Sequence, residues 1–209
     1  LPSQNEAPVA FAKNERAVQE LFTSAKTIKN HEALNASELL RSGQYDAAIQ
    51  AAKIELQLGK NEYQNLVIIG DAHRHLNRFN DAVESYLSAI AREKNRSIGY
   101  EKLSLGYLNL RRFELAKASL SRAISLNPES SAIRYKLAII HESQNENNEA
   151  AKLYFQAGQL AIREKSSDTI YTSLTALERL SDTKYGRALY ESLLSRAEAY
   201  QQQAFSTGA

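Results

Sequence analysis

Four histidines are the residues of this sequence best suited to metal or acid–base chemistry: His31, His73, His75 and His141. His73 and His75 are two positions apart, so they would point to different faces of a helix. No histidine pair has the i, i+4 spacing with which one helix face binds zinc. We therefore predict no metal site, and we expect His73 and His141 to pack, partly buried, between helices.

Other catalytic arrangements are also missing. The sequence has no glycine-rich phosphate loop, no nucleophile elbow and no cysteine. The carboxylates of Asp81, Glu84, Glu146 and Glu149 fit the first turns of predicted helices, where the helix dipole favours negative charge. Because no triad or ligand set emerges, we predict that the chain is not an enzyme and uses no cofactor.

The composition excludes two further classes of function. With 26 basic and 24 acidic residues among 209, the net charge is only +2, which does not indicate nucleic-acid binding. The sequence has no run of 18 apolar residues, so no membrane span is predicted. The chain begins at Leu1, so we expect a processed or excised piece, and any targeting segment would be out of view. The absence of cysteine suits an exported protein, such as one of the bacterial periplasm, with the cytoplasm as the alternative.

Small residues return every 34 positions along the chain. One series consists of Ala48, Ala82, Ala116 and Ala150. A second series lies twelve positions earlier and consists of Ala36, Gly70, Ser104 and Ala138. A fixed period in two columns is typical of a repeat protein, in which one supersecondary unit stacks on copies of itself. The predicted units are residues 29–62, 63–96, 97–130 and 131–164.

Large residues surround the small ones in a constant order. In the second unit the order of large and small residues is Leu66, Ile69, Gly70 and His73, followed by Phe79, Ala82, Tyr86 and Ala89. This order resembles the tetratricopeptide repeat, whose 34-residue unit is a helix A, a turn and a helix B. The resemblance implies an all-α, right-handed α-solenoid with terminal capping helices. Its small columns allow the two helices of a unit to cross closely.

The ends of the chain depart from the 34-residue pattern. Residues 1–12 contain two of the three prolines and are predicted to form a flexible arm. Apolar residues then recur at intervals of three or four positions, which predicts an N-terminal capping helix over residues 13–28. Beyond residue 164 the small columns fail, so residues 165–203 are predicted to form a degenerate fifth repeat that acts as the C-terminal cap. Residues 204–209 are predicted to be a tail.

The resemblance also implies where a partner binds. In the family, fixed positions of helix A line a concave groove that holds a peptide or a helix of another protein. Those positions hold Val67, Asp71, Arg74, His75, Ile98, Glu101, Leu105, Leu108, Asn109, Tyr135, Ile139 and Glu142. The apolar members of this set would form a floor, and an exposed apolar strip usually marks a partner site. The alternative is that residues 1–12 or a terminal helix of the same chain cover this floor.

One family subtype grips the C-terminal carboxylates of chaperones with a lysine and an asparagine clamp. The lysine column here holds Ala33, Val67, Glu101 and Tyr135. The asparagine column holds Ser37, Asp71, Leu105 and Ile139. The clamp is absent, which argues against a co-chaperone of that subtype.

The predicted function is therefore protein–protein interaction without catalysis. The expected partner is another protein, held within a larger assembly such as a secretion, pilus or polysaccharide-export scaffold. The alternative is a structural scaffold that associates with itself as a homo-oligomer.

Overall fold

The computed structural model describes residues 35–207, with side chains up to residue 203. Within that range the chain forms ten α-helices and no β-strand. The helices are α1 (Ala36–Arg41), α2 (Tyr45–Gln57), α3 (Glu62–His75), α4 (Phe79–Arg92), α5 (Ser97–Asn109), α6 (Phe113–Leu126), α7 (Ser131–Ser143), α8 (Asn147–Glu164), α9 (Ser167–Arg179) and α10 (Gly186–Thr207). The predicted arm of residues 1–12 and capping helix of residues 13–28 lie outside the described residues.

Each helix packs against its neighbours in sequence, and helices two apart also touch. Such contacts join α1 to α3, α3 to α5, α7 to α9 and α8 to α10. This alternation produces two layers, with the odd-numbered helices as A helices and the even-numbered helices as B helices. The chain is thus an all-α solenoid of helix–turn–helix units, as the sequence predicts.

The small columns are buried where the A and B helices of a unit cross. The alanines of the B-helix column, at positions 48, 82, 116 and 150, have no exposed surface. At Gly70 on α3, a Cβ atom would lie 2.5 Å from Cε1 of Tyr86 on α4. Real Cβ contacts are not this short, so glycine is required for the ring of Tyr86 to pass.

A third column with the same period lies in the turns between the A and B helices. Its residues adopt positive φ and are Gly43 (77°), Asn77 (60°), Arg111 (54°) and Asn145 (62°). After each of them, the next N–H donates to a carbonyl oxygen five residues back, as from Arg112 to Tyr107 at 2.8 Å. This geometry closes the C-terminus of each A helix, and it usually calls for glycine or asparagine.

The first A helix is much shorter than the others. It covers six residues, whereas α3, α5 and α7 cover 13 or 14. Asn35 has an extended backbone, and its side chain accepts a hydrogen bond from the Glu38 N–H while the Glu38 carboxylate accepts one from the Asn35 N–H. This capping box starts the helix at Ala36.

The last two helices close the array on α8. Leu193 of α10 is fully buried, and a Cβ at Gly158 of α8 would lie 2.3 Å from its Cδ2 atom. Helix α10 begins at Gly186, later than the pattern of a fifth repeat suggests, because the chain first makes a tight turn against the carbonyl of Leu180. It continues to Thr207, so residues 204–207 of the predicted tail are helical. We still interpret α9 and α10 as the C-terminal cap.

Replacing Ala116 by leucine tests the helix crossing. Ala116 is fully buried, so three added carbon atoms must push α5 and α6 apart and lower the free energy of unfolding by about 1–3 kcal/mol. Urea denaturation followed by circular dichroism measures the change. The matched control is Ala118→Leu on the exposed face of α6, which should leave stability nearly unchanged. Equal stabilities for the two variants would contradict the buried crossing.

Replacing Arg111 by glycine tests the third column. A side chain in the left-handed region costs about 1–2 kcal/mol, so Arg111→Gly should raise the free energy of unfolding by about 1 kcal/mol after the entropy of glycine is counted. The control Arg112→Gly, at φ −88°, should give no stabilisation. Chemical denaturation of both variants decides the matter, and a destabilised Arg111→Gly protein would rule the interpretation out.

Candidate functional site

The A helices present one exposed stripe with helical periodicity. On α5 it contains Ile98, Leu105 and Asn109, at positions i, i+7 and i+11, which lie on one helix face. On α7 the equivalent positions are 132, 139 and 143. We call these six residues the inner stripe. Ile98 is 51% exposed and Ile139 is 44% exposed, which is high for isoleucine on a packed helix.

The twelve predicted groove residues fall into three groups of exposure. Four are exposed, namely His75, Ile98, Asn109 and Ile139. Six are half-buried, namely Arg74, Glu101, Leu105, Leu108, Tyr135 and Glu142. Val67 and Asp71 are buried, at 4% and 8% exposure. Their burial leaves little of either side chain to meet a partner.

Val67 and Asp71 are engaged inside the chain. Val67 packs in a cluster with Tyr63 and Ala89. The carboxylate of Asp71 accepts hydrogen bonds from the Tyr86 hydroxyl and from Lys102 Nζ, both at 2.7 Å. Of the groove residues predicted in the second unit, only His75 is therefore exposed, and Arg74 is half-buried.

Three carboxylates of the A helices each pair with a base on the next A helix. The pairs are Asp71 with Lys102 at 2.7 Å, Glu101 with Lys136 at 2.6 Å, and Glu142 with Arg179 at 2.8 Å through two hydrogen bonds. They join α3 to α5, α5 to α7 and α7 to α9. We call this series the acid–base ladder, because its rungs follow the A-helix layer from unit to unit.

Tyrosines of two B helices reach through their units to the ladder. Tyr86 donates to Asp71, and Tyr154 donates to Glu142 at 2.6 Å. Burial raises the pKa of both tyrosines far above its ordinary value, so both hydroxyls keep the proton that they donate. The hydrogen bonds from Arg179 hold the pKa of Glu142 below its usual range, and that carboxyl stays ionised. In the third unit the position equivalent to Tyr86 and Tyr154 is occupied by Leu120, which cannot form such a hydrogen bond.

Sequence reasoning did not single out the bases of the ladder, and it treated Tyr86 only as a large packing residue of helix B. Lys102 and Lys136 lie 34 residues apart, and Tyr86 and Tyr154 lie two periods apart, so the repeat period itself could have drawn attention to them. No such signal exists for Arg179, which lies beyond the point where the small columns fail.

The predicted apolar floor is only partly exposed. Tyr135 packs against the ring of Tyr154, with 5.2 Å between ring centroids. Leu108 packs against the buried cluster around Leu120 and Leu137. These side chains present an edge to the inner stripe while their other side belongs to the core. Within the predicted floor, the exposed apolar surface is therefore concentrated on Ile98 and Ile139.

Three histidines lie within the described residues, and each contacts a neighbouring side chain, while His31 lies outside that range. His73 is half-buried with Nδ1 3.9 Å from the Asp81 carboxylate, and His141 contacts Glu146. His75 stacks on Tyr45, with 4.7 Å between ring centroids. Across residues 35–207, no group of three potential ligands could hold a metal ion.

The comparisons with known proteins agree with this architecture. A family profile described as Tetratricopeptide repeat matches residues 34–97 and 102–167, more than half of the sequence. The chain belongs to the tetratricopeptide repeat family. Proteins of this family are protein–protein interaction modules and are in general non-catalytic. No helix in the described part of the chain is long and apolar enough to cross a membrane.

Solved structures show the same fold at low sequence identity. A crystal structure of MamA aligns with a TM-score of 0.60 at 21% identity, over 80% of this chain and 96% of that one. TTC0263, a thermophilic TPR protein of Thermus thermophilus, gives 0.53 at 20% identity, over 76% and 95%. The TPR2B domain of yeast Sti1, from a complex with pHsp70, gives 0.51 at 16% identity, over 65% and 98%. The search of curated proteins finds no significant match.

The pKa of His73 predicts a pH dependence of stability. Burial lowers that pKa below its ordinary value, although the Asp81 carboxylate opposes the shift. Below about pH 6.5 the unfolded chain therefore binds a proton that the folded chain resists, and stability falls. Urea denaturation at about pH 7 and about pH 5 should show a larger loss for the wild type than for His73→Tyr, which copies Tyr107 of the third unit. An equal loss in both proteins would contradict the shift.

Proposed function

We propose that this chain is a non-catalytic module that binds a segment of another protein along the inner stripe. The observation that carries the proposal is the pair of exposed isoleucines, Ile98 and Ile139, on the same face of consecutive A helices. No residue within the described range covers them. Water-exposed apolar side chains on one face of neighbouring elements are typical of a partner site.

The two isoleucines of this surface would make a moderate energetic contribution to binding. Full burial of an isoleucine contributes about 1.5–3 kcal/mol, so completing the burial of two half-exposed ones contributes about 2 kcal/mol. The edges of Leu105, Leu108 and Tyr135 add apolar area around them. Since these three are already held by the core, they lose little side-chain entropy on binding.

The outer layer offers a matched comparison. Leu87 on α4 and Leu115 on α6 are 45% and 46% exposed, close to the values for the two isoleucines. They lie on B helices, where exposed acidic residues such as Glu84 and Glu114 are near them in sequence. Single exposed leucines in a polar setting are ordinary on protein surfaces.

A second candidate is a structural scaffold that associates with itself through its end. Tyr171, on the last A helix, is 71% exposed. Solenoids stack units through such terminal faces, so a second copy could continue the array there. Light scattering across a concentration series separates the candidates, because a Tyr171-dependent oligomer supports the scaffold and a monomer supports segment binding. In either case we place the chain in a larger assembly, with secretion, pilus or polysaccharide-export scaffolds as analogies of fold.

The binding proposal is tested by selecting a displayed library of random peptides on the immobilised protein. We expect peptides enriched on the wild type to lose binding to the double variant Ile98→Glu and Ile139→Glu. Two charges placed at the stripe would weaken the binding free energy by several kcal/mol in total, because a charge opposes apolar contact. This corresponds to a loss of affinity on the order of a hundredfold or more. Biolayer interferometry with individual peptides measures the loss.

The control is the double variant Leu87→Glu and Leu115→Glu, which makes the same chemical change at the same exposure on the other layer. It should retain the selected peptides, and melting curves should show both double variants folded. Peptides that bind the isoleucine variant as well as the wild type, or that are lost from the leucine variant instead, would place the binding surface elsewhere.

A further inference from the structure

We infer that the segment held by the inner stripe is acidic and amphipathic, with carboxylates flanking its apolar residues. This inference rests on the proposed function, and it names the chemistry of the partner that the same surface would select. It follows from the way in which each rung of the acid–base ladder is oriented towards solvent.

In every rung the acid is more buried than the base. Side-chain exposure is 12% for Asp71 and 31% for Lys102, 16% for Glu101 and 39% for Lys136, and 22% for Glu142 and 56% for Arg179. The carboxylates lie behind their partners, so the part of each pair that meets water is cationic. A segment approaching the A-helix layer therefore meets three basic groups before it meets an acid.

The ladder also has a basic neighbour. Arg74 is a fourth base at a predicted groove position, and no carboxylate in the described part of the chain forms an ion pair with it. Its Nε atom is buried without a hydrogen-bond partner, and Nη2 approaches Nε2 of His75 at 3.2 Å. Among the ladder residues and Arg74, four bases stand against three acids, so one base of this set has no carboxylate partner among residues 35–207.

Two of the bases lie within the apolar part of the site. Lys102 is one helical turn after Ile98 and three residues before Leu105, and Lys136 precedes Ile139 by the same three residues. Each ammonium has three N–H donors and uses one on its carboxylate, at 2.7 Å and 2.6 Å. The remaining donors are available to a carboxylate of the partner, directly next to the exposed isoleucines.

The spacing of the two lysines suits a helical partner. They occupy the same column of consecutive units, and Lys136 Nζ lies 2.6 Å from the carboxylate of Glu101, the residue next to Lys102. Two carboxylates seven residues apart on a partner helix are separated by about 10.5 Å along its axis. A helix that crosses α5 and α7 can thus place one carboxylate at each lysine and its apolar residues on Ile98 and Ile139.

Three synthetic amphipathic peptides test the inference. They share one apolar stripe and differ only in the flanking residues, which are glutamate, glutamine or lysine. Fluorescence anisotropy should show the glutamate peptide binding about fivefold tighter than the glutamine peptide, as two solvent-exposed ion pairs allow, and the lysine peptide binding most weakly. Added salt should shrink the advantage of glutamate. Equal affinities, a reversed order, or no binding by any peptide would overturn the inference.

Variants of the lysines assign the effect to the ladder. Lys102→Gln with Lys136→Gln should remove the advantage of the glutamate peptide and leave the glutamine peptide unchanged, while Lys102→Arg with Lys136→Arg should retain the advantage. Melting curves check that each variant is folded. An advantage that survives the glutamine substitutions would contradict the assignment.

The two levels of the proposal fail in different ways. If the peptides bind the Ile98→Glu and Ile139→Glu variant as well as the wild type, the proposed binding surface is wrong. If the isoleucine variant loses all three peptides but the wild type does not prefer glutamate, the surface stands and only the acidic partner is wrong. A single-stranded oligonucleotide is the remaining probe, and its displacement of the glutamate peptide would indicate a phosphate-binding surface instead.

Discussion

The close approach of paired helices is the constraint on which the rest of this structure depends. At each crossing a residue no larger than alanine or serine lies in the contact, and at Gly70 even a methyl group would collide with the ring of Tyr86. Because the helices approach so closely, Tyr86 extends through its unit and its hydroxyl reaches Asp71 on the A helix. A larger residue at the crossing would therefore disturb both the packing and the polar contacts of the A-helix layer.

The ladder connects this packing to the candidate site. Its carboxylates are held from behind by B-helix tyrosines at Asp71 and Glu142, and from the next unit by a base. Such partly buried pairs contribute less to stability than to geometry, since the cost of removing charges from water offsets much of their attraction. Their effect is to fix which side chains of the A helices meet solvent. The inner stripe stays exposed beside them because its isoleucines have no partner within the described chain.

The fold was predictable because the small residues obey steric limits that recur with every unit. Side-chain size at positions 48, 82, 116 and 150 is readable without coordinates, and so is their spacing. The site was less predictable, because exposure depends on the neighbouring unit. Val67 and Asp71 occupy groove positions of the family yet are buried, since Ala89 and Lys102 close over them. The turn column was missed for another reason, as Gly43, Asn77, Arg111 and Asn145 share a backbone conformation and not a residue type.

The third unit supplies the base of one rung and the acid of the next, and this has a consequence for how such an array can lengthen. Lys102 reaches back to the preceding unit, and the adjacent Glu101 reaches forward to Lys136, which occupies the same column as Lys102. If residues 97–130 were duplicated in tandem, the lysine of the copy would meet the original Glu101, and the glutamate of the copy would meet Lys136. Insertion of this unit would leave every rung of the ladder paired. At the new junction, however, Lys117 would meet Arg112 of the copy and Glu129 would meet Glu129 of the copy, so these two exposed positions would need compensating substitutions.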